Sequence, residues 1–391
     1  MLRALFALPR SVWLLGLISL VNDSASELVY PLVPLYLSGV LMAGPRVLGL
    51  IEGVAEALAS LLKLWAGVMV DRSGRSKPWV VAGYGLAGLA RPLIALVAGW
   101  PLLLALRLAD RIAKAVRAAP RDALLAANIG AGQRGLAFGL HRAMDNAGAV
   151  IGPLLAWALL SAGVPLGQVF LWAIIPGLLC LALTLAVHEA PPPAVTPPRF
   201  SWTLRDLPGP LRRYLVVVAL FTLGNSSNMF LLLRARELGV AETQVPLLWA
   251  AVSGVAALFA VPLGGLSDRI GRVRLLVAGY IAYAVFYAGM AAWAEPGWRL
   301  YLLFGLYGIF MAATEGVERA LLADLTPPEQ RGTAFGWLNL TMGAMLLPAS
   351  LLFGGLWEGL SASVAFSFSA GCALLAALLT LLWVKPAESH S

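Results

Sequence analysis

Six charged side chains lie at regular spacing within one otherwise apolar segment, which we bound at residues 101–122. They are Arg107, Asp110, Arg111, Lys114, Arg117 and Arg121, separated by three, one, three, three and four residues. In an α-helix this spacing confines them to one face about 120° wide. If the helix spans a bilayer, each charge at the centre costs about 2.5–3.5 kcal/mol, so the face is predicted to meet a wet cavity or counter-charges. For Arg117, Arg121 and Asp122, a simple cytoplasmic helix end is the alternative.

Acidic side chains that could neutralise this face occur in other apolar segments. They form three groups on neighbouring helical turns, Asp23 with Glu27, Asp145 with His141, and Glu315 with Glu318. A carboxylate in such a place can alternate between an ion pair with Arg or Lys and a protonated, neutral state. That alternation allows a proton to be exchanged for a solute. The alternatives are a fixed structural ion pair for Asp23 and Glu27, and a hydrogen-bonded packing role for His141.

The elements that hold these residues follow from the composition. The 391 residues are 60% apolar and only 12% charged, whereas soluble domains are about 45–50% apolar and about 25% charged. Such a chain lacks the polar surface that a globule in water needs, so it is predicted to span a membrane. Twelve apolar runs bounded by polar residues give the predicted spans: 11–37, 46–70, 78–99, 101–122, 135–160, 165–188, 211–235, 243–267, 274–295, 298–323, 333–357 and 360–384.

The distribution of basic residues predicts the orientation of the chain. The net charge is +8, but Lys and Arg recur in short connections rather than on one exposed face, which argues against a nucleic-acid partner. This pattern obeys the positive-inside rule, so we expect a protein of the cell membrane, embedded in the lipid bilayer, with both termini in the cytoplasm. The first apolar run continues through Tyr36 without a cleavage site and is predicted to be a span rather than a signal peptide. Both cysteines lie in apolar runs, which indicates neither a disulfide framework nor a zinc site.

The two halves of the chain repeat each other. Gly67, Asp71, Arg72, Gly74 and Arg75 recur at one common offset as Gly264, Asp268, Arg269, Gly271 and Arg272, and two further segments share that offset. A proline-rich stretch at 189–210 lies between the halves and cannot continue a helix. We therefore predict an N-terminal six-helix bundle at 1–188, a cytoplasmic linker at 189–210 and a C-terminal six-helix bundle at 211–391. Duplications of this kind build transporters around a site at the midplane.

The repeated motifs resemble the signature loop of the major facilitator superfamily, which occurs between spans two and three and again between spans eight and nine. The resemblance covers the whole chain and implies that these loops hold the cytoplasmic side closed in the outward-facing state. In span five, the residues that resemble the antiporter motif of the superfamily are Gly139, Gly148, Gly152 and Pro153. Ala156 and Trp157 replace the closing glycines of that motif. Arg107 matches the fourth-span arginine that the superfamily links to proton coupling, whereas Asp110 and Arg111 depart from its pattern.

The resemblance implies an all-α integral membrane protein with twelve transmembrane helices in two six-helix bundles related by a pseudo-twofold axis. The leading hypothesis is proton-coupled export of a small organic solute or drug, by antiport and alternating access, with the proton gradient as energy source and no cofactor or metal. The candidate proton carriers are Asp23, Glu27 and Asp145, and their switching partners are Arg107, Arg111 and Lys114. In span seven, Asn225 and Asn228 would offer the substrate uncharged hydrogen-bonding groups.

Two other functions are alternatives to this hypothesis. The first is transport of an anionic solute that the basic face of span four binds directly. The second is a membrane enzyme or receptor, which the sequence disfavours because no nucleophile, metal cluster or large extramembrane domain is visible. One chain contains both repeats, so a monomer would suffice for transport.

Overall fold

The computed structural model describes residues 8–73, 75–127, 134–189, 207–327 and 330–384. Within these ranges the chain forms twelve long helices and no strand: α1 Arg10–Gly39, α2 Pro45–Ser73, α3 Lys77–Leu96, α4 Trp100–Ala127, α5 Arg134–Ser161, α6 Leu166–Leu185, α7 Gly209–Glu237, α8 Val245–Ile270, α9 Arg272–Ala292, α10 Trp298–Asp324, α11 Arg331–Gly359 and α12 Ala362–Trp383. Each helix corresponds to one of the twelve predicted spans. Among the described residues, ten helices are long and apolar enough to cross a membrane. The other two, α2 and α4, carry six and seven charged residues respectively.

Four of the described helices are irregular: α3 ends in a 3₁₀ turn at Ile94–Leu96, α6 is interrupted at Ala173, and α1 and α7 are irregular where the sequence weakens the backbone hydrogen bonds. In α1 a 3₁₀ turn occupies Tyr30–Leu32, because Pro31 has no N–H to donate. Helix α7 is broken between Gly224 and Met229, so span seven is not the continuous helix that its apolar run predicts. At this break the Ser227 hydroxyl accepts a hydrogen bond from the backbone N–H of Met229 at 3.3 Å. Asn and Ser side chains compete with the helical bonds in this way, which explains the interruption.

The chain divides into two compact units. Unit 1 comprises Met1–Ala43, Val54–Pro197 and Ala241–Ala250, and unit 2 comprises Gly44–Gly53, Pro198–Val240 and Ala251–Ser391. The first turns of α2 therefore belong to unit 2, and those of α8 belong to unit 1. The predicted division into halves at 189–210 stays a prediction, since most of that linker, residues 190–206, lies outside the described part of the chain.

In unit 1 the main contact between helices joins α1 to α5 through small residues. A Cβ atom at Gly148 would lie 2.6 Å from the carbonyl oxygen of Leu20, and one at Gly152 would lie 2.6 Å from that of Ser24. The two backbones can approach this closely only because these positions are glycine. The packing fixes the side chains that α1 and α5 carry in the middle of the unit.

Unit 2 is built around buried aromatic rings from α7, α9 and α10. Phe221 stacks on Tyr280 with ring centroids 4.1 Å apart, and it meets Phe310 at 5.9 Å. Tyr283 stacks on Tyr287 at 4.1 Å in the same cluster. These rings fill the interior beside the polar groups of α7 and α10 that are described below.

Candidate functional site

The centre of unit 1 contains a buried ion pair between α3 and α4. The Arg91 Nε atom lies 2.9 Å from Asp110 Oδ1, and both side chains are about 95% buried, at 4% and 5% exposure. Arg107 Nη1 lies 3.6 Å from the other oxygen of Asp110. Arg91 Nη1 also donates hydrogen bonds to the backbone and side-chain oxygens of Asn22 on α1, each at 3.1 Å. Asp110 is thus a partner for two cations, and this network ties three helices together.

A second ion pair joins α4 to α2. Arg111 Nε lies 2.8 Å from Glu56 Oε1, with the carboxylate side chain 26% exposed. Lys114, the next cation along the charged face of α4, is exposed, and its charge attracts the carboxylates of Asp23, Glu27 and Glu56. The charged face of α4 therefore faces carboxylates from α1 and α2. Arg117, further along the helix, is buried over the ring of Tyr84 at 4.8 Å from the centroid.

The carboxylates of α1 accept hydrogen bonds from neutral groups. Glu27 Oε2 accepts from the indole N–H of Trp249 at 2.8 Å, and the Trp249 ring lies against Tyr30 with centroids 5.2 Å apart. Asp23 Oδ1 accepts from the amide of Asn22 at 2.8 Å. Lys114 of α4 attracts both carboxylates, whereas Arg107 and Arg111 of the same helix contact Asp110 and Glu56.

The carboxylate of α5 is held from two sides. Asp145 accepts a hydrogen bond from the Ser19 hydroxyl of α1, and its Oδ2 atom lies 3.5 Å from Nδ1 of His141. Arg121 of α4 reaches the same Ser19 oxygen at 3.4 Å and pairs with its neighbour Asp122 at 3.0 Å. Asp145 is thus joined to α1 and, through Ser19, to α4.

In unit 2 the break in α7 is surrounded by hydrogen-bonding side chains. Tyr283 donates to the carbonyl oxygen of Gly224 at 2.9 Å, and Tyr307 donates to the side-chain oxygen of Asn228. Ser227 donates to the fully buried Glu52 at 3.4 Å, a carboxylate on the part of α2 that belongs to unit 2. The half-buried Asn225 provides the helix end itself. Asn228 is therefore already bound to Tyr307 in this structure.

The two acidic residues of α10 occupy different environments. Glu315 is exposed, whereas Glu318 is buried and accepts a hydrogen bond from the hydroxyl of Tyr280 at 3.1 Å. The backbone oxygen of Glu318 accepts another from Tyr214 at 3.4 Å. Only Glu318 of this pair belongs to the interior of unit 2.

The structure describes the repeated loop motifs in part. Gly74 and the side chains of Asp71, Arg72 and Asp268 lie outside the described residues, so the role of the first loop stays a prediction. Gly67 lies in α2, Gly264 lies in α8 and Gly139 lies in α5, and the side chains of Arg75 and Arg269 are exposed. In the second loop Gly271 has a φ of 97°, which favours glycine, and Arg272 Nε lies 2.5 Å from Asp324 at the end of α10. Arg272 thus joins α9 to α10 inside unit 2.

Several contacting residues are absent from the sequence-based site, and four of them contact or carry charge in the interior of the units. They are Glu52, Glu56, Arg91 and Trp249. The first three are ionisable residues inside apolar spans, a signal that by itself marks a functional position. Trp249 has no comparable signal, because Trp is common near the ends of spans and its contact with Glu27 depends on the fold. Among the described residues, no group of three or more His, Cys, Asp or Glu could hold a metal ion.

Comparison with known proteins gives the family. A family model described as the Major Facilitator Superfamily matches residues 15–230 and 214–391. The chain is 33% identical over 381 residues to MJ1317, an uncharacterized MFS-type transporter of Methanocaldococcus jannaschii, with 96% of this chain and 95% of that protein covered. It is 27% identical over 334 residues to the multidrug resistance protein MdtG of Escherichia fergusonii, with 81% and 80% covered.

The fold is also that of known transporter structures. The crystal structure of a mutant of the nucleoside transporter NupG superimposes with a TM-score of 0.81 at 13% sequence identity, covering 96% of this chain and 100% of that chain. The two segments that match the family model together span nearly the whole sequence. The twelve helices and the transporter relative at one-third identity agree with that match. The chain belongs to the major facilitator superfamily of membrane transporters.

Proposed function

We propose that this protein exports a small organic solute in exchange for protons, by alternating access. The observation that carries the proposal is the different bonding of its intramembrane carboxylates. Asp110 and Glu56 form ion pairs at 2.9 and 2.8 Å, whereas Asp23 and Glu27 accept hydrogen bonds from a neutral amide and a neutral indole. Asp23 and Glu27 can therefore take up a proton without breaking an ion pair, which makes them the proton carriers.

Lys114 supplies the second state of the exchange. Its ammonium group attracts both carboxylates of α1 and remains exposed. When Asp23 or Glu27 loses its proton, Lys114 becomes the available counter-charge, and protonation releases it again. Asp145, bound by His141 and Ser19, is the third carrier. In this proposal the energy source is the proton gradient, both termini are cytoplasmic, the cell membrane is the location and one chain suffices.

Export rather than uptake is supported by two observations. The multidrug resistance protein MdtG is similar over four-fifths of the chain. The glycines Gly148 and Gly152, which resemble the antiporter motif, bring α5 against the backbone of α1 beside Asp23. Helix α1, which carries the proposed proton carrier Asp23, is thereby packed tightly against α5, the helix of the antiporter motif.

Reconstitution tests the proposal. Purified protein is placed in proteoliposomes with a trapped pH indicator, and ethidium or tetracycline is supplied as the probe under an imposed pH gradient. We expect proton movement in exchange for the probe in the wild-type protein and much less of it in the D23N/E27Q double variant, which retains Asp145. The matched control is E295Q, which neutralises a loop carboxylate that is 64% exposed. Unaltered pH-driven flux in the double variant would remove these carboxylates from coupling.

The second candidate, transport of an anionic solute, is favoured by one observation. Lys114 is exposed on the charged face of α4, whereas Arg107 and Arg111 are buried in contact with carboxylates. An anion would therefore bind at Lys114. In a thermal-shift assay with succinate or inorganic phosphate, K114Q should abolish ligand stabilisation if this function is correct. If the protein exchanges protons for a neutral or cationic solute, K114Q should change only the pH dependence of flux.

A further inference from the structure

Unit 2 contains a buried carboxylate of its own. Glu318 of α10 is only 9% exposed. One of its oxygens accepts a hydrogen bond from Tyr280 of α9, and its backbone oxygen accepts one from Tyr214 of α7. Both of these phenols are fully buried. The carboxyl group therefore lies where α7, α9 and α10 meet.

The phenol that bonds this carboxyl group is itself packed among aromatic rings. Phe221 stacks on the ring of Tyr280 at 4.1 Å with an interplanar angle of 14°, and Phe310 packs against Phe221. Aromatic rings offer an ionised carboxylate no compensation for the water it loses. An unpaired charge buried in such a place costs several kcal/mol, so the group is neutral unless a cation pairs with it.

The charges that face Glu318 do not supply that cation. From α10 these are Glu315 and Arg319, and from α9 and α7 they are the phenols of Tyr280 and Tyr214. Glu315 adds a like charge, which opposes ionisation. Arg319 attracts the carboxylate, but it is exposed and forms no ion pair within 4 Å of Glu318 in the described part of the chain. Its attraction is therefore screened by solvent.

We propose that Glu318 holds a proton in this conformation and is a second proton-binding site, separate from the carboxylates of α1 and α5. Each unit then has its own proton-exchange group. Deprotonation of Glu318 requires water or a cation to reach it, and a change in the packing of α7, α9 and α10 during transport provides that access. The role of this proton in coupling rests on the proposed function, whereas the protonated state of Glu318 does not.

Infrared difference spectroscopy tests the protonated state directly. The carbonyl stretch of a protonated carboxylic acid is separate from the bands of carboxylates, and it is recorded for the protein in lipid at neutral pH. We expect E318Q to lose one such band, while E315Q, the exposed carboxylate one turn away, keeps it. Y280F removes the hydrogen bond but retains the ring, so it should shift the same band to higher frequency. An E318Q spectrum that keeps every wild-type band overturns the proposal.

Glutamine at 318 mimics the neutral acid, so the variant is expected to fold. The number of protons moved per ethidium molecule is then compared in proteoliposomes. E318Q should lower this ratio, whereas E295Q, at the exposed loop carboxylate, should leave it unchanged. A ratio that E318Q does not alter overturns the role in coupling. Failure of the proposed function looks different, since the wild-type protein would then move no protons with the probe although the Glu318 band is present.

Discussion

The ion pair between Arg91 and Asp110 provides the sharpest test of how the charges of α4 are stabilised. Arg91 makes hydrogen bonds of 2.9 Å to Asp110 and 3.1 Å to two oxygens of Asn22, and both charged side chains are almost completely buried. Removing one partner of a buried pair costs about 3–5 kcal/mol, because the other charge is left without compensation. In the R91M variant the Asp110 carboxylate still has Arg107 at 3.6 Å. We therefore expect the free energy of unfolding to fall by only about 3 kcal/mol.

The opposite substitution should cost more. In D110N two guanidinium groups, those of Arg91 and Arg107, lose the carboxylate they share. We therefore expect the upper end of the range, about 5 kcal/mol. In the R91M/D110N double variant only Arg107 is left without the carboxylate, so its cost should be smaller than the sum of the single costs.

Unfolding in mixed micelles of dodecyl maltoside and sodium dodecyl sulfate, followed by circular dichroism, measures these free energies. R213Q is the matched control, since the Arg213 side chain is exposed and should change stability by less than about 0.5 kcal/mol. Equal costs for R91M and D110N would refute the shared-carboxylate argument. Costs for both that match the control would refute the view that the pair is buried away from water.

Two further predictions concern close packing and a hydrogen bond in unit 1. G152A should destabilise the protein by about 1–3 kcal/mol in the same unfolding assay, because the new Cβ atom would press on Ser24 of α1. G305A is the control. A Cβ atom at this position has no neighbouring atom within 4 Å, so the substitution should be neutral or stabilise its helix. W249F removes the N–H group that donates to Glu27 at 2.8 Å. We expect it to lower the free energy of unfolding by about 1.5–3 kcal/mol in the wild-type protein and by less in the E27Q variant. Equal losses in both backgrounds would show that this hydrogen bond contributes nothing to stability.

The number and order of the helices could be predicted because each span is a local property of about 20 residues. The positions of the helix ends are harder to predict from the sequence. Helix α4 continues to Ala127 although its apolar run was bounded at residue 122, because Ala and Leu favour helix beyond the membrane as well as inside it. The sequence does not predict the break in α7. The apolar run predicts one continuous helix, and the Ser227 hydrogen bond at the break is seen only in the structure.

The candidate site could be predicted as a set of residues but not as a set of pairs. Spacing along α4 identifies Arg107 and Asp110 as members of one charged face. It does not show that Asp110 pairs with Arg91, 19 residues earlier, or that Glu27 bonds to Trp249, 222 residues later. Such partners depend on how helices pack, and one sequence carries no signal for contacts across that distance.

The glycine seam between α1 and α5 has a mechanical consequence. With backbone atoms this close, neither helix can rotate about its axis or slide along the other without a steric clash. The two helices are therefore expected to move together, which fixes the backbone positions of Asp23 and Asp145 relative to each other. If these carboxylates carry protons as proposed, a change in the electrostatic field that acts on both of them comes from groups outside this helix pair.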